Sequence, residues 1–439
     1  MKPGGLLTAV AVLVVLGGLV WWSNKHPSAG TASKTPPAPK LISVDAKQIE
    51  GIKLSKPGSD PIELVKLADN WTIAKPTPMP ADQDAVTMLT GSLATLNADR
   101  LIDDHPASLN EFGLTNPPTE VDVTLKGGKI TRLLIGSDTP AGTGTYAKLE
   151  GDPKVYTIPT STKAGFDKTV NDLRDKRLLT FNQDKLTAVA ITGKAGATFE
   201  FGKNAQGEWQ ITKPKPMRAD GLQVDDLIRK LKDAKMDLTG PESDAKAAAG
   251  DKVGTASVTD NTGTQTLDIY KAKDSSKDKS YYAKSGAVAG FYKVAGDLGD
   301  SLGKSVEDFR NKKLLDFGFN EVTKLDLNGI SYQKAADKWT SGATQYDAGT
   351  LQTVIDKLRD LSASKFQDKM SGAQMLTVGV TSGDNHRSEK ITIFKDGAGY
   401  NAIRDGEPAV YVVDAKDIDD LQKAISGIKQ QQQAPPKKK

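Results

Sequence analysis

The stretch "NWTIAKPTPMPAD" (70–82) returns as "EWQITKPKPMRAD" (208–220), and this recurrence decides the fold. In both copies a strand that carries a tryptophan leads through a proline-rich turn to an aspartate, and an amphipathic helical pattern follows. A weaker third copy is "KWTSGATQYDAGTLQTVIDKLRDLSA" (338–363). The recurrence indicates that the chain repeats one structural unit.

The repeated landmarks divide the body of the 439-residue chain into three tandem units. We predict repeat units at 41–181, 182–317 and 318–428, the last of them divergent. Each unit reads as a series of strands, with alternating apolar and polar residues, around one amphipathic helix. Because strands outnumber helices and follow one another directly, the sequence predicts α+β units with mostly antiparallel sheets.

An aspartate stands directly before each predicted helix. A carboxylate at that position accepts hydrogen bonds from free backbone N–H groups of the first helical turn and complements the helix dipole. The sequence therefore predicts that three aspartates begin the helices: Asp82, Asp220 and Asp347.

The N-terminus carries an uncharged apolar run, "GGLLTAVAVLVVLGGLVWW" (4–22). A helix needs about 20 apolar residues to cross a bilayer, and tryptophans favour the membrane interface. The predicted fold class is therefore an N-terminal transmembrane helix, within a membrane anchor at 1–25, followed by three tandem α+β repeat units. A flexible Pro/Ala/Ser/Thr linker (26–40) joins them, and a Gln/Lys tail (429–439) is predicted to be disordered. A cleaved signal peptide is the alternative to the anchor.

The composition excludes several classes of function. The chain has no cysteine, and its three histidines do not stand at metal-ligand spacing. Its net charge of +4 comes from lysines near the two ends, whereas the body has slightly more acidic than basic residues. We therefore expect no cofactor, no metal site and no nucleic-acid partner.

The sequence motifs that usually indicate a catalytic site are weak or missing. His105 and His386 lie in polar, loop-like segments without a G-x-S-x-G nucleophile elbow. The segment "DLGDSLGKS" (297–305) resembles a phosphate-binding loop, but it has leucine where the pattern requires its first glycine. We expect a non-enzymatic protein, and a hydrolase built from carboxylates is the alternative.

Aromatic residues recur at equivalent positions of the units. Such recurrence favours packing in the core of each repeat over a carbohydrate-stacking platform, because every copy must solve the same folding problem. The candidates for the repeat core are Trp71, Trp209, Trp339, Tyr156, Tyr292 and Tyr411.

The strings "LRDKRLL" (173–179) and "FRNKKLL" (309–315) stand where one predicted unit ends and the next begins. Phe166, Val170 and Leu173 have helical spacing, which predicts one closing helix with basic residues at its C-terminus. A docking motif for a partner is the other interpretation. We favour the connector, because the motif occurs only between units. The candidate seam residues are Leu173, Arg174, Arg177, Phe309, Arg310 and Lys313.

Several of these segments together resemble the DUF4340 family. They are the Trp71 strand with its proline-rich turn, "LRDKRLL", "LNEFGLTNPPTEVDVTL" (109–125) and "LLIGSDTPAGTGTYAKLEGDPKVYTIP" (133–159). The resemblance covers about 45–320. The chain departs from the family pattern at "SDAKAAAGDKVGTASV" (243–258).

The resemblance implies a bacterial protein with one membrane span, an exported body and no established activity. We accordingly expect a single pass through the inner membrane by residues 4–22, with the N-terminus cytoplasmic and the body in the periplasm. Some relatives are encoded beside ABC-type transporter components related to gliding-motility systems. This implies an accessory protein that binds a protein partner in the envelope. The alternative is an envelope hydrolase that acts on glycan or peptide through carboxylates.

Overall fold

The computed structural model describes residues 39–194 and 196–431. Contacts within the chain divide it into two compact units, Met1–Lys176 and Arg177–Lys439, which we call the first and second unit. The boundary falls inside the string "LRDKRLL".

The described part of the first unit is built on one antiparallel sheet. Its strands are β1 (Ile49–Ser55), β2 (Ile62–Leu67), β3 (Asn70–Lys75), β4 (Met79–Pro80), β5 (Arg100–Asp103), β6 (Thr119–Leu125), β7 (Ile130–Asp138), β8 (Gly144–Leu149) and β9 (Val155–Pro159). Their order across the sheet is β4-β3-β2-β1-β6-β7-β8-β9-β5. The helices are α1 (Gln83–Ala94), α2 (Thr160–Phe166) and α3 (Val170–Leu173).

The second unit contains two further antiparallel sheets. The strands of the second sheet are β10 (Ala188–Gly193), β11 (Thr198–Lys203), β12 (Trp209–Lys213), β13 (Met217–Arg218), β14 (Ala249–Asp260), β15 (Gly263–Ala272), β16 (Tyr281–Ser285) and β17 (Tyr292–Val294). Their order is β13-β12-β11-β10-β14-β15-β16-β17. The accompanying helices are α4 (Gly221–Lys232), α5 (Glu242–Ala248) and α6 (Gly296–Leu302).

The third sheet follows in the same unit. Its strands are β18 (Val322–Leu327), β19 (Ile330–Ala335), β20 (Lys338–Ser341), β21 (Thr344–Tyr346), β22 (Ala363–Gln367), β23 (Ala373–Ser382), β24 (Arg387–Asp396), β25 (Gly399–Arg404) and β26 (Val410–Val413). Their order is β21-β20-β19-β18-β23-β24-β25-β26-β22. The helices are α7 (Ala348–Asp360) and α8 (Ala415–Ser426).

The first and third sheets have the same order of equivalent strands, although the sequence of the third copy is the most divergent. The second sheet lacks the edge strand that β5 and β22 provide in the other two. At that edge the backbones of Asp237 and Lys293 form a single isolated β-bridge in place of a strand. The copies therefore differ at a sheet edge and share their central strands.

The predicted fold class, with its transmembrane helix, is wrong as stated. The described residues form mostly antiparallel sheet with few helices, and the longest helix there, α7, has 13 residues. Crossing a bilayer takes about 20 apolar residues. Among residues 39–194 and 196–431, no helix is long and apolar enough to span a membrane. The predicted span at 4–22 lies outside the described residues.

The predicted helix caps are confirmed. The carboxylate of Asp82 accepts hydrogen bonds from the backbone N–H groups of Asp84 and Ala85, and that of Asp347 accepts from Thr350. Asp220 caps α4 in the same way. These bonds satisfy donors that the first helical turn leaves without an intrahelical partner.

Each capped helix buries one face in the hydrophobic core of its own repeat. The buried residues follow helical spacing, which places them on a single stripe. They are Val86, Leu89, Thr90, Leu93 and Ala94 in α1, Val224, Leu227, Ile228 and Leu231 in α4, and Leu351, Val354, Ile355 and Leu358 in α7.

The single closing helix predicted before "LRDKRLL" is wrong. The chain forms two short helices, α2 and α3, and α2 ends at Phe166. Thr169 and Asp172 then form a capping box that begins α3. In the second copy the same place is taken by α6 and a 3-10 turn at Val306–Phe309. Strong local capping interrupts the helix that the apolar spacing alone suggests.

Candidate functional site

The tryptophan candidates lie in the hydrophobic cores, and none is more than 9 % exposed. Each occupies the same register position, opposite a lysine of the preceding strand. The pairs are Trp71 with Lys66, Trp209 with Lys203 and Trp339 with Lys334. Their rings are therefore packed inside the repeats and do not form an exposed platform for stacking.

The tyrosine candidates also lie in the cores, at one register position opposite an alanine. The pairs are Ala147 with Tyr156, Ala283 with Tyr292 and Ala402 with Tyr411. The hydroxyl groups have different partners. That of Tyr292 donates to the carbonyl of Ala289 at 2.9 Å, whereas that of Tyr411 donates to Glu407 Oε2 at 2.5 Å. The third copy thus uses its tyrosine in a network of charges.

The apolar seam residues close the repeat that precedes them. Leu173 is fully buried in the first core, and its carbonyl accepts the N–H of Asp82 at 2.8 Å. Phe309 is fully buried in the second core, and its carbonyl accepts the N–H of Asp220 at 2.7 Å. Leu314 already belongs to the third core. The motif "FRNKKLL" therefore ends one core and begins the next.

The basic seam residues contact several elements, and Arg310 also pairs with Glu307 of the 3-10 turn that closes the second repeat, at 3.0 Å. The ammonium group of Lys313 donates to the carbonyls of Arg359 and Asp360, at 3.2 and 3.4 Å, at the C-terminus of α7. The guanidinium carbon of Arg310 lies 3.4 Å from the centre of the Phe366 ring. The backbones of the other two basic residues form isolated antiparallel β-bridges, Arg174 with Ala81 and Arg177 with Lys235.

Lys313→Ala is expected to cost about 0.3–1 kcal/mol of unfolding free energy, because the lysine only complements the C-terminus of α7 at the surface. Urea unfolding of the full chain measures it. The control Lys369→Ala removes an exposed lysine from the loop after β22 and should stay within about 0.5 kcal/mol of the wild type. A loss of several kcal/mol in Lys313→Ala alone would mean that the seam lysine has a larger structural role.

A cluster of buried and partly buried charges joins the second and third sheets inside the second unit. We call it the charge network, and its members are Glu208, Arg218, Asp316, Arg387, Glu389, Arg404 and Glu407. Its residues come from β12–β13 and the segment before them, from the seam, and from β24–β25 and the turn after them.

Arg218 is the central cation of the network. Its Nη1 lies 2.5 Å from Asp316 Oδ2, and its Nη2 donates to the carbonyl of Lys313 at 2.5 Å and to the hydroxyl of Tyr411 at 2.8 Å. Its Nε lies 2.5 Å from Glu407 Oε1, but the N–H is not aligned for a hydrogen bond. One side chain of the second sheet thus contacts the segment 313–316, the turn after β25 and strand β26.

Arg404 forms the second centre. Its Nη2 lies 2.5 Å from Glu389 Oε1, its Nε lies 3.0 Å from Glu407 Oε1, and its Nη1 donates to the carbonyl of Leu314 at 2.8 Å. The buried Glu389 also accepts the backbone N–H of Asp316, at 3.0 and 3.2 Å to its two oxygens. These bonds fix the start of the third repeat against β24 and β25.

Arg387 extends the network back to the second sheet. It pairs with Glu208, the residue before β12, and its Nη2 lies 3.4 Å from Glu389 Oε1 and 3.6 Å from Asp316 Oδ2. Arginine presents several donors in a rigid fork and stays protonated, so that each carboxylate of the network faces a permanent positive charge.

The pKa shifts in the network favour fixed charges. Burial lowers the pKa of Arg218, but the negative charges around it raise that pKa above its ordinary value. Burial raises the pKa of Tyr411 to about 12, so its hydroxyl is neutral at pH 7. Burial also opposes ionisation of Glu208, yet hydrogen bonds from Asn204 and Arg387 lower its pKa. The arrangement therefore holds charges in place and suits a structural joint.

A cavity of about 120 Å³ adjoins the charge network. Its lining includes Arg218 and Tyr411 of the network and the stacked pair Arg310 and Phe366. Sites for drug-sized ligands usually measure about 300–1,000 Å³. This cavity is smaller and suits a few water molecules or one inserted side chain.

The two histidines of the body lie in exposed turns. The Nδ1 atom of His105 lies 3.5 Å from Asp104 Oδ1, and most of its side chain is exposed. His386 adopts a left-handed backbone with φ 52°, and its N–H donates to the carbonyl of Gly383 at 3.1 Å. In the part of the chain that the structure describes, no group of three or more His, Asp or Glu residues could hold a metal ion.

Sequence reasoning missed the charge network, although two members left a signal. Arg218 stands where the otherwise similar first copy has Pro80, and Asp316 stands where the first seam has Thr180. A charge that only one copy carries points to a contact that only that copy makes. Glu389 and Arg404 gave no such signal, because charged residues on alternating strands usually face solvent.

The chain matches the model of a known protein family. The family model described as a domain of unknown function (DUF4340) matches residues 71–209 and 209–378. The two matches begin at equivalent tryptophans, Trp71 and Trp209, and together span more than half of the chain. No curated protein and no solved structure matches the chain.

Proposed function

Because the chain belongs to the DUF4340 family, whose description gives no function, we propose from its geometry that it is a non-enzymatic binding protein of the bacterial envelope. Its partner in this proposal is another envelope protein. The family resemblance favours a component of an ABC-type transporter or a gliding-motility-like complex. Export of the body and contact with the membrane through 4–22 stay predictions from the sequence, since that segment lies outside the described residues.

The state of the carboxyl groups carries the proposal. A general acid in a hydrolase needs a carboxyl group whose pKa is raised toward neutrality. Among residues 39–194 and 196–431, every carboxyl group whose pKa departs clearly from its ordinary value has it lowered, as Asp138 does through hydrogen bonds from Thr145 and Lys163. This pattern supports the interpretation that these carboxyl groups stabilise the fold and do not act as general acids.

An exposed aromatic residue supports the proposal that the chain binds a protein partner. Phe319 is 93 % exposed in the loop after the seam, and the guanidinium carbon of Arg359 lies 4.9 Å from the centre of its ring. Aromatic and arginine side chains are enriched at the energetic centres of protein interfaces. The described residues offer no comparable observation in favour of the envelope hydrolase.

An assay for hydrolysis tests the proposal. We expect the purified full chain to release no soluble product from isolated envelope glycan or peptide. His105→Ala, His386→Ala and Glu407→Gln should behave like the wild type. Release by the wild type that is lost in one of these variants, while the variant remains folded, would show a catalytic site and refute the proposal.

A further inference from the structure

A second cavity lies beside the second sheet, where the sequence departs from the family pattern. The segment 243–258 forms most of α5 and most of β14, which has 12 residues where the equivalent β6 has 7. The pairing of β14 with β15 shifts register twice between Ala249 and Gly254. This lengthened and irregular start of β14 forms one wall of a cleft of about 590 Å³.

Lysines dominate the lining of this cleft, which we call the lysine cleft. They come from the end of β10, from both β14 and β15, and from the end of α6. They are Lys194, Lys252, Lys271, Lys273 and Lys304. Asp251 is the acidic residue among the lining residues. The cleft is therefore strongly positive, although the body as a whole carries no excess of basic residues.

Some of these lysines have partners and others do not. Lys194 pairs with Asp251 at 2.8 Å, and Lys252 pairs with Asp268 at 2.7 Å. Lys304 donates to Gln223 Oε1 at 2.7 Å. Among the described residues, the ammonium groups of two more, Lys271 and Lys273, have no hydrogen-bond or ion-pair partner. Two lysines in the cleft are thus available to an anion.

Backbone packing fixes one of the available lysines at the cleft. A Cβ atom on Gly250 would lie only 2.7 Å from Lys273 Cα and 2.9 Å from its backbone nitrogen. The N–H of Lys273 also donates to the carbonyl of Ala248 at 2.9 Å. Glycine at 250 therefore permits the close approach that positions Lys273 against the start of β14.

The string "LGKS" contributes to the cleft through its lysine side chain and not as a phosphate loop. The N–H of Gly303 donates to the carbonyls of Gly299 and Asp300, both at 3.2 Å, and ends α6. Phosphate loops instead present free N–H groups at the start of a helix. An anion in the cleft would therefore meet ammonium groups.

We propose that the lysine cleft binds a multiply charged phosphate group, carried by a small soluble molecule or by a phospholipid headgroup. Lysine is a compact point charge that binds phosphate well, and several lysines around one volume favour an anion with more than one charge. The cleft volume lies within the range of about 300–1,000 Å³ that is usual for small-molecule sites. This site is separate from the protein partner proposed above and does not depend on it.

Titration of the full chain with pyrophosphate, and flotation with vesicles that contain phosphatidic acid, whose phosphomonoester headgroup can carry two negative charges, test the two sources. The variant Lys271→Glu/Lys273→Glu should weaken binding of the relevant probe about tenfold or more, because it reverses two attracting charges. The control Lys369→Glu/Lys395→Glu makes the same change of net charge at exposed lysines of the third repeat. We expect it to bind like the wild type.

Each outcome decides the proposal. Saturable pyrophosphate binding that only the cleft variant loses supports a soluble phosphate compound, and flotation that only the cleft variant loses supports a lipid headgroup. Equal weakening in both variants would mean nonspecific attraction by net charge. Equal weakening in both variants, binding or flotation that the cleft variant retains in full, or no binding of either probe by the wild type would overturn the proposal. Matching thermal unfolding of the three proteins confirms that the comparison is between folded chains.

Discussion

Arg218→Ala is expected to destabilise the second unit by about 3–5 kcal/mol, the usual cost of removing one partner from a buried ion pair. The side chain of Arg218 is only 10 % exposed, and its neighbours Asp316 and Glu407 are 18 % and 17 % exposed. Alanine would leave both carboxylates in a poorly solvated place with less compensating charge. Urea unfolding of the chain, followed by far-UV circular dichroism and by tryptophan fluorescence, to which Trp209 and Trp339 of the second unit contribute, measures the loss.

Two further variants separate position from charge. Arg229→Ala removes an arginine of α4 that pairs with Asp226 at 2.5 Å but is 59 % exposed, so that we expect a loss of about 0–1 kcal/mol. Arg218→Lys keeps the positive charge and loses the rigid fork, and its stability should lie between those of the wild type and Arg218→Ala. Equal small losses in all three variants would contradict a structural joint at Arg218.

Phe309→Ala is expected to cost about 3–5 kcal/mol, as truncation of a buried phenylalanine does. The Phe309 ring is fully buried, and its centroid lies 5.0 Å from that of Phe201 and 5.8 Å from that of Phe199. The control Phe319→Ala, at a ring that is 93 % exposed, should change stability by less than about 0.5 kcal/mol.

Thermal and urea unfolding of these two variants compare a seam residue with an exposed ring of the same type. Leu173→Ala provides the equivalent test in the first unit, where we expect a loss of about 2–5 kcal/mol at another fully buried side chain. A loss below about 1 kcal/mol in Phe309→Ala would show that the seam contributes little to the core.

The sequence contained the local features that each repeat needs. The aspartates before the helices could be predicted because a cap depends only on residues within one turn. The strand with Trp71, Trp209 or Trp339 could be located because the same string recurs in each copy. Such features are determined by neighbours in the chain, and their patterns survive in every copy.

Features that depend on distant residues could not be predicted. The missing edge strand of the second sheet reflects how Asp237 meets Lys293, 56 positions along the chain. The charge network joins Arg218 to Glu407, and a single sequence gives no sign that these two side chains meet. The prediction of one closing helix was wrong for a local reason. It relied on the spacing of apolar residues and overlooked the capping box at Thr169, which begins a new helix.

Crosslinking in living cells tests the proposed binding role most directly. A photoreactive residue would replace Phe319 in the chain, expressed in its native host, and Lys395 would be the comparison position. We expect a discrete crosslinked product with one envelope protein from position 319, which is absent from position 395 and unchanged by His105→Ala or His386→Ala. The absence of any such product, together with hydrolysis of envelope glycan or peptide by the purified chain, would contradict the proposed binding role.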